Sequence, residues 1–248
     1  LEPGLALTDP ETPVAWFPQE AWVDPVAMTN RLVEATRHAG GRVLTGPERE
    51  VTAIGVEGGR VSSLTLKGGQ TNPDDTVVNS AGVEGAHVAA LLGRILPLAA
   101  PRGLAMRAES PDGSDPLDRP VRTDHIFLRP NGPGGIYLIP RVDLGDTPPG
   151  PIPLDDPRVS EAMTWAAAAV PALAAARPIA AIVAPWPLID DGLPCVGRVL
   201  AIPGYFEAVT DYGIALAPLI ARSLADEIVG KPGDALFAPF SPERFSGA

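Results

Sequence analysis

Residues 186–197, WPLIDDGLPCVG, and residues 203–218, PGYFEAVTDYGIALAP, form the stretch that decides the predicted fold. Tyr205–Val209 is a short apolar run typical of a strand, and residues 210–213 have the composition of a turn. From Leu216 apolar residues recur every four positions, which predicts a helix. A strand that turns sharply into a helix exposes unpaired backbone N–H groups at the positive end of the helix dipole. The stretch therefore predicts a binding site for an electron-rich group.

Composition narrows the class of protein. The chain has 248 residues, of which 45 % are apolar, enough for one large domain or two modest ones. Its net charge of −11 argues against nucleic acid or an anionic membrane surface as a partner. No apolar run approaches the roughly 20 residues of a membrane span, and no basic signal peptide opens the sequence. We expect a cytoplasmic protein with a small-molecule substrate, no nucleic acid partner and no membrane span.

Metal and disulfide chemistry are not expected. Cys195 is the single cysteine, which excludes an internal disulfide framework. The three histidines, His38, His87 and His125, lie far apart in sequence, so we predict no metal site. We interpret Cys195 as a small buried residue that fills space in a core.

The first hundred residues predict alternating helices and strands. The predicted elements are a strand at 14–17, a helix over about 25–39, a strand at 42–45, a hairpin of 50–56 and 61–66, a strand at 76–80 and a helix over 84–92. The helix face formed by Met28, Leu32, Ala35 and Ala39 is expected to be buried. The last strand meets its helix at Ala81-Gly82, a turn where backbone can approach a ligand closely.

The middle of the chain has a different character. Apolar strands are predicted at 103–108, 125–129 and 135–141, with Pro- and Asp-rich loops between them. A helix is expected at about 160–169, and a strand at 179–184 leads back to the opening stretch. Short strands joined by such loops predict an antiparallel sheet.

These motifs resemble the superfamily of D-amino-acid oxidase, glycine oxidase and sarcosine oxidase. The resemblance is carried by DGLPCVG at 191–197, by the Leu216-Ala217-Pro218 motif, by FPQEAWVDP at 17–25 and by VVNSAGVEGAHVAALLG at 77–93. It implies an α/β fold, with a partial Rossmann-like FAD domain and an antiparallel-sheet substrate domain. The implied bounds are 20–99 and 179–232 for the FAD domain, 1–19 and 100–178 for the substrate domain, and 233–248 for a C-terminal tail.

One motif of that superfamily is missing. Its members grip the ADP part of FAD with G-x-G-x-x-G between a strand and a helix, but here residues 55–59, GVEGG, form a hairpin turn. The resemblance therefore covers only the later portion of a complete enzyme. We expect a missing N-terminal segment or a partner chain to carry that unit, and we expect this chain alone to bind FAD weakly or not at all.

The resemblance also implies the residues that contact FAD. They are Val51, Ala81, Gly82, Val209, Thr210, Asp211, Tyr212, Gly213, Ile214 and Ala215. The N-terminus of the following helix would hold the pyrimidine edge of the flavin, which becomes negative on reduction. The alternative is an ordinary turn into a helix, with no cofactor.

Four residues are candidates for the substrate side. Trp186 stands where carboxylate-oxidising relatives have an Arg, and Asp211 where many have a small polar residue. Tyr137 aligns with a tyrosine that faces the pocket in relatives, although a packing role is the alternative. Arg129 could supply a cation, or it could form a surface salt bridge. Asp211 could instead cap the following helix.

The function implied is oxidation of the C–N bond of an amine or amino acid by hydride transfer to FAD. This reaction needs positioning and desolvation rather than a strong protein base. Two alternatives stay open, namely a non-catalytic or scaffold subunit with a degenerate flavin fold, and one half of a split oxidase.

Overall fold

A computed structural model describes residues 2–7, 9 and 11–245, and the chain divides into two compact units. The first unit comprises residues 1–32 and 102–185, and the second comprises residues 33–101 and 186–248. Residues 20–32 and 179–185, expected in the FAD domain, thus lie in the first unit. Residues 1, 8 and 10 of the expected substrate domain and residues 246–248 of the expected tail lie outside the described residues.

Helices and strands alternate irregularly along the described residues. The helices are α1 (Pro25–His38), α2 (Gly85–Ala90), α3 (Pro157–Ala169) and α4 (Gly213–Ile228). The strands are β1 (Val51–Glu57), β2 (Arg60–Leu66), β3 (Thr71–Pro73), β4 (Val77–Asn79), β5 (Leu98–Ala99), β6 (Arg102–Glu109), β7 (Val121–Arg122), β8 (Ile126–Pro130), β9 (Gly135–Pro140), β10 (Gly150–Pro151), β11 (Arg177–Pro185), β12 (Leu188–Ile189), β13 (Cys195–Arg198) and β14 (Tyr205–Val209).

The first unit is built on one antiparallel sheet of six strands in the order β10-β11-β6-β9-β8-β7. Side chains alternate across it, because successive residues of a strand point to opposite faces. One face is buried against α3, and its core includes Leu104, Met106, Leu128, Leu138 and Ala162. The opposite face, which we call the open face, keeps its side chains partly exposed.

The second unit contains three smaller sheets. These are β1-β2-β3, β12-β5 and β13-β14-β4, where β14 runs antiparallel to β13 and parallel to β4. The β1–β2 hairpin turns at Gly58 and Gly59, whose φ angles of 58° and 81° favour glycine. α4 packs Ile220 and Leu224 against Phe206 of β14. The chain is therefore a mixed α and β protein with predominantly antiparallel sheets.

Two predicted strands are wrong for tertiary reasons. Residues 14–17 and 42–45 enter no sheet among the described residues, because a strand forms only beside a hydrogen-bonding partner. α1 forms within one residue of its predicted end, but it has no buried residue. The strand predicted at 179–184 forms as β11, and its partners β6 and β10 belong to the six-stranded sheet.

The C-terminal segment packs within the second unit. Residues 235–240 form a 3₁₀ helix whose Phe237 is buried in the core of that unit. Arg244 bonds to the carboxylate of Asp191 at 2.7 Å, which joins this segment to the turn before β13. None of the helices in the described part of the chain is both long and apolar enough to cross a membrane.

Candidate functional site

Two turns leave the β13-β14-β4 sheet at the same end of its strands. β4 and β14 are parallel, so their carboxyl ends lie side by side there, with Asn79 opposite Glu207. The turn after β4 passes through Ala81 to Gly82, whose φ of 58° requires glycine-like freedom. The turn after β14 leads directly into α4. Open α/β sheets bind ligands outside the carboxyl ends of parallel strands, so this end of the sheet is the candidate cofactor site.

Most of the predicted cofactor residues follow these two strands. The residues brought to this end of the sheet are Ala81, Gly82, Val209, Thr210, Asp211, Tyr212, Gly213, Ile214 and Ala215. Gly85 holds the two turns close together, because a Cβ there would stand 2.9 Å from a methyl group of Val209. Val51 differs, since it begins β1 in another sheet and packs against the cluster around Ile54 and Tyr205.

α4 begins without a side-chain cap. Its N-cap residue, Tyr212, makes no capping hydrogen bond through its side chain. The backbone N–H of Tyr212 donates to the hydroxyl of Thr210 at 3.1 Å, ahead of the first turn of α4, and the carboxylate of Asp211 accepts from no N–H of that turn among the described residues. The interpretation of Asp211 as the cap is therefore wrong. A Cβ on Gly213 would meet nothing within 4 Å, so the space beside the start of α4 is open among the described residues.

Asn79 ties the first turn to the sheet. Its amide nitrogen donates to the carbonyl of Gly85 at 2.8 Å and to the hydroxyl of Tyr205 at 2.9 Å. Its amide oxygen accepts from the N–H of Ala81 at 3.2 Å. Burial raises the pKa of Tyr205, so its phenol stays neutral. The sequence placed Tyr205 in a strand and indicated no role for Asn79, although an Asn inside an apolar strand is a signal that could have identified it.

A buried ion pair fixes the middle of β14. Arg94 donates to both carboxylate oxygens of Glu207, at 2.9 and 3.1 Å, and to the carbonyl of Pro242 at 3.0 Å. The Sγ of Cys195 donates to the same carboxylate at 3.2 Å. Burial and the neighbouring Glu207 raise the pKa of Cys195, so its thiol is unreactive. Cys195 is fully buried, as predicted.

The first unit brings two of the four substrate-side candidates together. Arg129 and Tyr137 face each other across β8 and β9, with the guanidinium 4.4 Å from the centre of the phenol ring. Trp22 lies 5.9 Å from the same guanidinium. Burial lowers the pKa of Arg129 and raises the pKa of Tyr137. Arg129 forms no ion pair among the described residues, so the surface salt bridge considered for it is wrong.

The other two candidates lie in the second unit. Trp186 is 38 % exposed, and its backbone N–H donates to the carbonyl of Pro101 at 3.0 Å. Asp211 is exposed at the N-terminus of α4. The structure records no hydrogen bond between Trp186 and Asp211. Among the described residues, no group of three or more His, Cys, Asp or Glu side chains could hold a metal ion.

A separate cleft of about 1080 Å³ lies in the first unit. It is lined by the N-terminal segment, including Trp16, and by the β7–β8 region, including Phe127. Arg119 stacks over Trp16 at 4.7 Å there. Neither Arg129 nor Tyr137 lines this cleft, so the cleft is distinct from the site that these two residues form.

Comparison with known proteins gives one family match. The family model of FAD dependent oxidoreductases matches residues 1–227 of the chain. No curated protein matches the chain.

Several solved structures share the fold. Glycine oxidase from Geobacillus kaustophilus is 25 % identical, with a TM-score of 0.66 over 77 % of this chain and 51 % of that one. L-proline dehydrogenase from P. horikoshii is 19 % identical, with a TM-score of 0.78 over 90 % of this chain and 60 % of that one. Fructosyl amine: oxygen oxidoreductase from Aspergillus fumigatus is 16 % identical, with a TM-score of 0.67 over 84 % and 52 %. The chain thus spans about half to three-fifths of the length of these structures.

Proposed function

Because this chain belongs to the family of FAD dependent oxidoreductases, we propose that it contributes to oxidation of the C–N bond of an amine or amino acid by hydride transfer to FAD. By their names, the similar solved structures act on glycine, L-proline and a fructosyl amine, each of which contains such a bond. In this proposal the second unit is the Rossmann-like FAD-binding part and the first unit is the substrate-binding part.

The observation that carries the proposal is the uncapped start of α4 beside the Gly82 turn. Nothing among the described residues sterically requires glycine at position 213, since a Cβ there would meet open space. A group from outside the chain that approaches this backbone closely would require it. FAD would supply the two-electron acceptor of the reaction. Free N–H groups at a helix N-terminus suit its pyrimidine edge, because they stabilise negative charge.

On the substrate side, the chain's own residues bind and orient rather than transfer protons. Tyr137 offers a neutral phenol, and Arg129 a cation held by stacking. Trp186 is proposed as an apolar wall at the position where carboxylate-oxidising relatives have Arg. Asp211 is proposed as a carboxylate that favours a cationic or polar substrate group. These roles stay predictions that substitution can test.

Substitution of Gly213 by Val tests the cofactor site. We expect the wild-type chain to bind FAD weakly, with a Kd above about 10 µM, and Gly213→Val to weaken binding at least about tenfold. The valine side chain would occupy the space that the flavin needs. Quenching of flavin fluorescence on titration with the protein measures both values. Ala221→Val is the matched control, because Ala221 is exposed two turns further along α4 and should leave FAD affinity unchanged.

Three results would contradict this proposal in different ways. Equal FAD affinity of the wild type and Gly213→Val would remove α4 from the cofactor site. A wild-type protein that purifies yellow with tightly bound flavin would show that no further phosphate-binding unit is needed. Protein that stays colourless at high FAD concentration would favour a non-catalytic subunit.

A second candidate, one half of a split oxidase, is favoured by an unpaired strand edge in the second unit. Residues 42–45 include the apolar Val43 and Leu44 but have no strand partner among the described residues, and Leu44 is 43 % exposed. Among the described residues β4 pairs only with β14, so its other edge is open to a further strand. A partner segment that supplies a strand beside β4 fits this edge. Separately, α1 presents an exposed surface, since it has no buried residue and its Val26 is 67 % exposed.

Hydrogen exchange tests whether this surface awaits a partner. An isolated helix of 14 residues is marginal in water, so the amides of α1 should exchange at least about a hundredfold faster than those of α4. α4 is the internal control, because its apolar face is packed at Ile220 and Leu224. Mass spectrometry of peptides from the deuterated chain gives both rates. If α1 is protected as strongly as α4, the chain needs no partner there.

A further inference from the structure

Three side chains form a row across the open face of the six-stranded sheet. Arg107 of β6 and Arg129 of β8 are both in register with Tyr137 of β9, which lies between them. Residues in register on neighbouring antiparallel strands share a face. The two arginine Cα atoms therefore stand roughly 10 Å apart, twice the spacing of neighbouring strands. The row presents two cations with a phenol in the middle.

Neither guanidinium has a carboxylate partner among the described residues. Arg107 is exposed and forms no ion pair. The Nη1 of Arg129 donates to the carbonyl of Pro130 at 2.8 Å and to Asn131 at 3.4 Å. Asp24 is near enough to act on Arg129 electrostatically, but its carboxylate accepts from the first N–H groups of α1. Both guanidinium charges are therefore without a carboxylate from the described residues, and each is available to an anion from outside.

The surroundings of the row favour a small, elongated ligand. On one side lie apolar residues, namely Phe127 and Ile139, which are in register across β8 and β9, and Ala105, two residues before Arg107 on β6. On the other side Glu109 is in register with Arg177, so its charge has a cation opposite it. The chain as a whole has a net charge of −11, which makes this cationic row a local exception.

We propose that Arg107 and Arg129 each bind one carboxylate of a substrate that carries two, with the hydroxyl of Tyr137 as a neutral donor between them. The planar fork of arginine binds a carboxylate through two parallel hydrogen bonds. The substrate class is then an amine that carries two carboxylates. Naming this ligand as the substrate rests on the proposed function, whereas the binding of dicarboxylates does not.

Calorimetric titration of the 248-residue chain with glutarate and butyrate tests the proposal. Glutarate should bind at least about tenfold more tightly than butyrate, because it gains a second charge-assisted contact. Arg107→Gln should reduce the affinity for glutarate to that for butyrate. Arg129→Gln should weaken the binding of both ligands. The matched control is Arg122→Gln, since Arg122 lies on the same face but stacks over Phe127, outside the row.

Equal binding of the two ligands, no binding of either, or no effect of Arg107→Gln would overturn the two-carboxylate site. Circular dichroism shows whether each variant folds. Arg129→Lys keeps the positive charge but lacks the planar fork of the guanidinium. It should weaken the binding of glutarate at least about threefold if the fork geometry matters. These titrations use no flavin, so a failure to bind FAD would count against the proposed function and leave this inference standing.

Discussion

Replacing Glu207 with Gln is expected to lower the free energy of unfolding by about 3 kcal/mol, because it leaves the charge of Arg94 buried without a partner. The Glu207 side chain is fully buried and that of Arg94 is 9 % exposed. The substitution also disturbs β14 directly before the turn into α4. Urea unfolding followed by circular dichroism measures the change from the transition midpoint and slope.

Two further variants isolate the cause. Glu50→Gln removes the carboxylate of an exposed pair with Lys67, whose side chains are 53 and 55 % exposed, and should leave stability unchanged. The double variant Arg94→Met, Glu207→Gln removes both charges and should be more stable than Glu207→Gln alone. If Glu207→Gln lies within about 0.5 kcal/mol of the wild type, the pair does not stabilise β14.

Replacing Asn79 with Ala is expected to cost about 2 kcal/mol, the second largest effect, because the buried carbonyl of Gly85 loses its donor. The same substitution frees the N–H of Ala81, so the Gly82 turn should lose order and FAD should bind more weakly. Urea unfolding gives the stability of the variant, and quenching of flavin fluorescence gives its affinity for FAD.

A double-mutant cycle with Tyr205→Phe tests whether the contact itself is responsible. Tyr205→Phe removes only the hydroxyl that accepts from Asn79 and should cost about 1 kcal/mol. Because the two side chains touch, their effects should be less than additive by about 0.5 kcal/mol or more. Strictly additive effects would mean that the Asn79–Tyr205 bond contributes nothing to the turn.

Much of the local structure followed from the sequence. The hairpin around Gly58 and Gly59, the strands β8 and β9 and the helix α4 were predicted to within a few residues and are confirmed. Each depends on neighbours in sequence, namely turn glycines, alternating side chains or a four-residue apolar period. The family was also readable from motifs, because residues that follow β4 and β14 keep recognisable spacing.

The geometry of the substrate-side residues could be predicted from the sequence only in part. Arg129 and Tyr137 were singled out, but Arg107 was missed, since only the pairing of β6 with β9 puts it in the same row. Asp211 was considered as a helix cap, but α4 begins at Gly213 after Tyr212 and has no side-chain cap, and the sequence does not specify that start to within one residue.

By itself the sequence determined which segments are helices, which are turns and to which family the chain belongs, because these depend on short-range patterns. Only the tertiary structure decided that α1 has no buried residue, that residues 42–45 enter no sheet among the described residues and that Glu207 meets Arg94, 113 residues away in sequence. Burial, strand pairing and ion pairing join residues that are distant along the chain. Spacing within one segment carries no information about such partners.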